Sequence, residues 1–347
     1  MYCVRNVTED LYWVGANDHR LALFENIHPI PRGVSYNAYL LLDEKSVLFD
    51  TVDWSACRQL LENMDYLLEG KPLDYLVINH MEPDHGASIE EILLRYPKVK
   101  IVSTEKAFML MRQFGFGVDS HELIEVHEGD TMSFGKHTVT FVYAPMVHWP
   151  EAMVTFDVTN GVLFAADAFG SFGALDGKLF NDEVNFDRDW IDDARRYFTN
   201  IVGKYGPHVQ ALLKKAATID IKVICPLHGP VWRSDLGYFC LLYTSPTLKD
   251  AVPGDLSLVL PHRIMVDIKE MILALDKVTP GIASDETLLY GVEVKFYSNK
   301  VVVNTDFETS VQGLRAIGDG ASVTRGLQQA SANGISVARS ILNKMGI

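Results

Sequence analysis

Leu73-Asp74-Tyr75-Leu76-Val77-Ile78-Asn79 runs directly into His80-Met81-Glu82-Pro83-Asp84-His85, and the rest of the chain is read outward from this stretch. The first part is a short, largely apolar run, as expected of a strand buried on both faces. The second part crowds two imidazoles and two carboxylates onto the loop that this strand delivers. Carboxylates packed this closely repel one another, and a pair of divalent or trivalent cations relieves that repulsion. A lone His here would read as a satisfied core residue. Two His and two carboxylates at a strand end point instead to a metal site.

The same pattern, an apolar run followed by a ligand type, recurs along the chain. His148 follows a strand ending near Pro145. Asp167 follows Val162-Leu163-Phe164-Ala165-Ala166, and His228 follows Val223-Ile224-Cys225-Pro226-Leu227. An aspartate after a strand often only caps a helix, but repetition at several strand ends brings these residues to one rim. Between them, strands are expected within 34–50 and at 99–103, 137–143 and 222–225. A further pair lies within 153–166, broken by the Asn160-Gly161 hairpin turn. Helices are expected at 54–69 (with Leu60, Leu61, Met64 and Leu67 on one face), 89–95, 106–114, 190–202 and 208–217. Alternating strands and helices with polar residues gathered at strand ends predict an α/β layered fold carrying its chemistry on loops.

Bulk properties narrow the function. The formal net charge of −14 argues against nucleic acid as a partner, since phosphate binding needs a basic face. No run of about 18 apolar residues exists to span a membrane, and Met1-Tyr2-Cys3-Val4-Arg5 lacks a secretory pattern, so the expected address is the cytoplasm. Cys3, Cys57, Cys225 and Cys240 form no Cys-x-x-Cys pair and are expected to be reduced thiols, mostly buried. With 347 residues the chain has room for two domains, and it shows no solenoid repeat or low-complexity tract.

The order His-x-Glu-x-Asp-His, then His, then Asp, then His-Gly-Pro resembles the flavodiiron proteins. The phrases Gly33-Val34-Ser35-Tyr36-Asn37, Ala166-Asp167-Ala168-Phe169-Gly170 and His228-Gly229-Pro230-Val231-Trp232 are similar to that family as well. The resemblance covers about residues 1–238 and implies a metallo-β-lactamase-like αβ/βα sandwich. It implies one iron held by His80, Glu82 and His148, a second held by Asp84, His85 and His228, and Asp167 bridging them. His85 is the weakest member of that set, because its counterpart is not metal-bound in every relative. The implied chemistry is reduction of nitric oxide to nitrous oxide or of O₂ to water, with Tyr197 a candidate hydrogen-bond donor beside the pocket. Rubredoxin or another electron donor and a homodimer are implied as partners. Glu82 stands where hydrolases of this fold have His, and its hard oxygen favours iron over zinc.

After Trp232 the sequence changes character. No Ser/Thr/Gly-rich phosphate loop follows, so the FMN-binding flavodoxin domain of the family is expected to be absent. Residues 253–347 resemble instead the C-terminal end of an FAD-dependent oxidoreductase. Gly254-Asp255-Leu256-Ser257, Leu260-Pro261-His262-Arg263, Leu289-Tyr290-Gly291-Val292-Glu293 and Ala316-Ile317-Gly318-Asp319-Gly320-Ala321 carry that resemblance. It implies a small α/β fragment with Gly318 and Asp319 approaching a flavin. Here a helix is expected at 265–275, strands at 291–296 and 300–304, and a helix opened by Gly318-Asp319-Gly320. No Gly-x-Gly-x-x-Gly occurs, so half a site is present and FAD is not expected to bind. Cys240-Leu241-Leu242-Tyr243-Thr244-Ser245 fits neither resemblance. One codon choice for it reproduces a transposase mosaic-end adapter, which suggests two gene fragments joined within a junction at 239–252. The expected organisation is therefore a diiron domain over 1–238, the junction, and the fragment 253–347. The competing functions are a zinc hydrolase of the same fold and an FAD-linked redox module formed by the C-terminal piece.

Overall fold

A computed structural model describes residues 2–238 and 262–279 and parts of 282–346. The chain divides into two compact units, Met1–Asp255 with Leu275–Leu288, and Leu256–Ala274 with Leu289–Ile347. The junction expected at 239–252 lies outside the described residues, as does nearly all of the strand expected at 291–296.

Two sheets build the first unit. The larger has seven strands in the order Arg5–Asn6, Leu11–Trp13, Tyr39–Leu42, Ser46–Phe49, Tyr75–Val77, Lys100–Ser103 and Leu123–Glu125. Its first strands pair antiparallel. From Ser46–Phe49 onward the pairing is parallel, with Val47 opposite Tyr75 and Lys100 opposite Tyr75 from the other side. The helices Cys57–Leu68, Ile89–Arg95 and Glu105–Gln113 fall between its later strands, as parallel crossovers require. The smaller sheet runs Thr131–Ser133, Thr138–Tyr143, Met153–Asp157, Val162–Phe164 and Val223–Cys225. The Asn160-Gly161 turn closes its hairpin, with Gly161 at φ +69°. Phe164 of this sheet stacks on Phe49 of the larger one at 3.8 Å, so the two apolar faces meet in one core. The layered α/β fold read from the sequence is the one observed.

Local chemistry sets the element ends. Thr104 caps the helix Glu105–Gln113 by accepting the Ala107 N–H at 3.2 Å. The helix Cys57–Leu68 stops where Glu69 and Gly70 take left-handed angles, and it buries Leu60, Met64 and Leu68. The helix expected at 190–202 is two elements. Ile191–Tyr197 is α-helical, and Phe198–Val202 widens into a π-type turn in which Phe198, Ile201 and Val202 are buried.

The second unit contains the helix Leu327–Met345 and all but the last two residues of the helix His262–Asp276. The strand expected at 300–304 does not form. Asn304 Oδ1 instead accepts the N–H groups of Asp306 and Glu308, which folds the chain into a turn. The helix start expected at Gly318-Asp319-Gly320 lies largely outside the described residues. Gly318 itself sits in a bend at φ +77°, ahead of the helix that begins at Leu327, and its N–H donates to Asn333 Oδ1 at 3.0 Å. Asp319 lies outside the described residues.

Candidate metal centre

The loops that follow the strands converge at one rim of the sandwich, bringing His80, Glu82, Asp84, His85, His148, Asp167 and His228 together. Tyr75–Val77 delivers the His80 loop, and a single turn over Pro83–Gly86 turns Asp84 and His85 inward. Val162–Phe164 delivers Asp167, and the parallel neighbour Val223–Cys225 delivers His228.

The donors fall into two groups, one of His80, Glu82, His148 and Asp167 and one of Asp84, His85 and His228. In the first, His148 Nε2 lies 2.8 Å from Glu82 Oε2 and 3.2 Å from Asp167 Oδ2. His80 Nε2 stands 3.3 Å from Glu82 Oε2 and 3.4 Å from Asp167 Oδ2. In the second, His85 Nε2 and His228 Nε2 face each other at 2.9 Å, and Asp84 Oδ2 is 3.4 and 3.1 Å from them. Asp167 turns its other oxygen to this group, with Oδ1 3.3 Å from His85 Nε2 and 3.7 Å from His228 Nε2.

These distances fit donors around common ions. Two ligands each about 2.1 Å from one metal stand about 3.0 Å apart at a right angle and about 3.4 Å apart at a tetrahedral angle. Among the described residues neither Asp84 oxygen nor Asp167 Oδ1, all buried, has a hydrogen-bond partner, a costly state that a cation removes. The charges agree. Burial disfavours a charged imidazole at His85, yet Asp84 and Asp167 outweigh it and push it up to about 9. At His148 burial is likewise outweighed by the hydrogen bonds of Asp167 and Glu82, again to about 9. Burial opposes ionisation of Asp167, but the histidines around it hold its carboxyl well below the usual range. The site gathers negative charge onto one point, and metal ions would take the place of the imidazole protons.

Aromatic rings wall the second group. Phe24, Tyr36 and Tyr197 lie 5.3, 5.8 and 5.6 Å from the His228 ring, and Phe172 packs on Phe24 and Tyr197. Tyr197 is fully buried. Gly170 makes room for it, because a Cβ there would stand 2.6 Å from the Tyr197 ring. Tyr197 thus lies beside the His228 ring, whereas Gly318 belongs to the second unit.

Several residues that hold the site went unnoticed in the sequence. Asp50 Oδ1 accepts the N–H groups of Asn79 at 2.7 Å and His80 at 3.2 Å, and Asp50 Oδ2 accepts Asn79 Nδ2 at 2.8 Å. Thr51 Oγ1 donates to the His85 carbonyl. Asp50 had a readable signal, since Val47-Leu48-Phe49-Asp50 repeats the apolar-run-then-aspartate pattern. Glu151 accepts from His80 and Met81, and a carboxylate three positions after His148 was its only clue. Glu25, on the hairpin of Leu23–Phe24 and His28–Pro29, contacts Glu82. Burial first, and Glu82 second, push its carboxyl up to about 7.

Residues 34–229 match the family described as ODP family beta lactamase. A nitric oxide reductase of Moorella thermoacetica is 34% identical over 234 residues, covering 67% of this chain and 58% of its own length. The flavodiiron protein of Giardia intestinalis superposes with a TM-score of 0.66 at 27% identity, over 69% of this chain and 58% of that one. Rubredoxin oxygen:oxidoreductase from Desulfovibrio gigas gives 0.65 at 30% identity, over 69% of this chain and 60% of that one. The chain therefore spans about three-fifths of the length of these proteins. Among the described residues no helix is long and apolar enough to cross a membrane.

Proposed function

The chain belongs to the ODP beta-lactamase family, and on that premise we propose that its first unit is a two-iron oxidoreductase centre reducing nitric oxide or O₂. The observation that carries this reading is Asp167, whose two oxygens face different donor groups. A bridging carboxylate of that kind suits two metals sharing one ligand. His80, Glu82 and His148 would hold one, and Asp84, His85 and His228 the other. Two ferrous ions held there would supply two electrons, the number that takes two nitric oxide molecules and two protons to nitrous oxide and water, and half the four that O₂ needs to become water.

The chain's own residues do the rest. Glu82 and the other carboxylates give the hard, anionic donors that favour iron. Phe24, Tyr36, Phe172 and Tyr197 form apolar walls that exclude water from the His228 side. Tyr197 would donate a hydrogen bond to a bound substrate. The electrons would come from a rubredoxin or another carrier, in keeping with the names of the relatives.

Metal analysis of the full chain, expressed in medium replete with both iron and zinc, tests the centre. The expected result is about two irons per chain, the two-metal complement, with anaerobic consumption of nitric oxide when a chemical reductant is supplied. Zinc in both positions together with hydrolytic turnover would replace this reading with the hydrolase one.

A further inference from the structure

An imidazole that offers Nε2 to a metal must place its Nδ1–H elsewhere, and the histidines of the centre differ sharply in what receives it. His228 Nδ1 lies 2.7 Å from the Ser35 carbonyl oxygen. His85 Nδ1 is buried with no hydrogen-bond partner. His80 Nδ1 lies 3.0 Å from Glu151 Oε1, on a carboxylate whose side chain is itself completely buried. The same Oε1 accepts the Met81 N–H at 2.9 Å, and the Glu151 carbonyl accepts from Thr104 Oγ1 at 3.2 Å. Glu151 Oε2 has no hydrogen bond.

A carboxylate accepts and does not donate. Glu151 therefore fixes the neutral His80 ring with its proton on Nδ1 and its Nε2 lone pair aimed into the site. An anionic acceptor also makes the imidazole a stronger donor than a carbonyl does, and a bare Nδ1 gives no such help. Glu151 lies on the loop that carries His148, yet it grips the loop that carries His80 and Glu82. One side chain thus ties together the segments that bring His80, Glu82 and His148 into one donor group. Among the described residues no carboxylate serves the other group in this way: one ring leans on a backbone carbonyl and the other on nothing.

We infer that Glu151 is the positioning residue of the centre. It makes the His80–Glu82–His148 half the tighter one, so that the two metals are held unequally and leave in a fixed order. The inference rests on the two-metal reading.

The test loads the metal-free full chain with Co²⁺ and withdraws the metal with a graded chelator, following ligand-field absorbance and bound cobalt. The wild-type chain should release its ions in two separated steps. His228→Ala should delete the weaker step, which assigns it to that half. Glu151→Gln keeps the shape and an acceptor oxygen but removes the charge. It should weaken the tighter step by about 10- to 100-fold, alter that half's absorbance and leave the weaker step in place. Glu151→Leu should do the same more severely; if that chain does not fold, the Gln variant carries the test. Equal weakening of both steps by Glu151→Gln, or of neither, overturns the inference. So does a wild-type chain that binds two ions and releases them together. A wild-type chain that binds fewer than two ions overturns the two-metal reading itself, and the inference with it.

Discussion

The strand hairpin of Thr138–Tyr143 and Met153–Asp157 carries a buried histidine and carboxylate cluster at each end, and the two clusters behave in opposite ways. At one end stand His80, His85, His148 and His228 with Glu82, Asp84 and Asp167, where ring nitrogens face each other and buried oxygens have no hydrogen bond. At the other end His137 is fully satisfied. Its Nδ1 lies 2.8 Å from Asp157 Oδ2, its Nε2 lies 2.9 Å from Asp10 Oδ2, and Lys136 Nζ reaches Asp10 at 2.9 Å. The residue types are the same. Unmet valence marks a place for ions, and a closed set of hydrogen bonds marks a clamp between strands.

The largest effect should come at the unmet end. Asp167→Asn keeps the volume but removes the anion that both donor groups share. Metal content should fall in both halves, and the reductase activity proposed above should drop by at least the ~100-fold that follows loss of a residue behind a ligand. Thermal stability of the metal-free chain should fall as well, because the imidazoles that hold the Asp167 carboxyl ionised lose their anionic partner. Elemental analysis and melting of the stripped protein check both statements, and unchanged metal content would count against the shared-carboxylate geometry.

His137→Ala should act on the fold and spare the metal. It takes away the ring that joins Asp157 to Asp10, which are 7% and 16% exposed, leaving Asp10 to Lys136, and the loss should be about 3–5 kcal/mol of stability. The metal content of the chain that remains folded should stay as it was. Urea melts paired with metal analysis separate the outcomes, and loss of metal without loss of stability would erase the distinction between the two ends.

Gly170→Ala should give a smaller change. Its Cβ would press on the Tyr197 ring, and overpacking of this kind costs about 1–3 kcal/mol. Both metals should remain bound while substrate turnover falls, because the wall beside His228 moves and the ligands do not. A turnover equal to wild type would remove Tyr197 from any part in the pocket.

Much of this is legible in the sequence alone. The apolar runs that end in His80, Asp167 and His228 are strands, and their ends do share a rim, since a sheet sends all its parallel strands out on one side. What the pattern did not reveal is direction. Phe49-Asp50 and Ala166-Asp167 look alike as text, yet Asp167 enters the site while Asp50 turns behind it to hold Asn79 and His80. Glu151 escaped for a related reason, because its partner His80 lies 71 residues away and only the packing of two loops joins them. The π-type turn at Phe198–Val202 has the same periodic look as the α-helix before it. At 300–304 a strand-like run lost to a local alternative, the Asn304 turn.

The mildest expected effect is a pH dependence confined to the clamp, and its sign follows from the groups involved. Burial disfavours a charged His137, but the hydrogen bonds of Asp10 and Asp157 outweigh it and raise its pKa above 6.5. Stability from that charge is complete below the unfolded value and is lost as the pH rises through the folded one. Burial likewise opposes ionisation of Asp10, yet His137 and Lys136 bring it from 3.8 down to about 2. Its contribution is present above 3.8 and is lost as the pH falls toward 2. Together they give the clamp full strength between about pH 4 and 6.5, with a decline on either side. The metal centre titrates too, so the measurement belongs on metal-stripped protein, as the difference in urea midpoint between wild type and His137→Ala. That difference should be widest in this window and should shrink above neutrality. A difference that grows as the pH rises would mean that His137 is buried neutral, and that the two ends of the hairpin are more alike than their hydrogen bonds suggest.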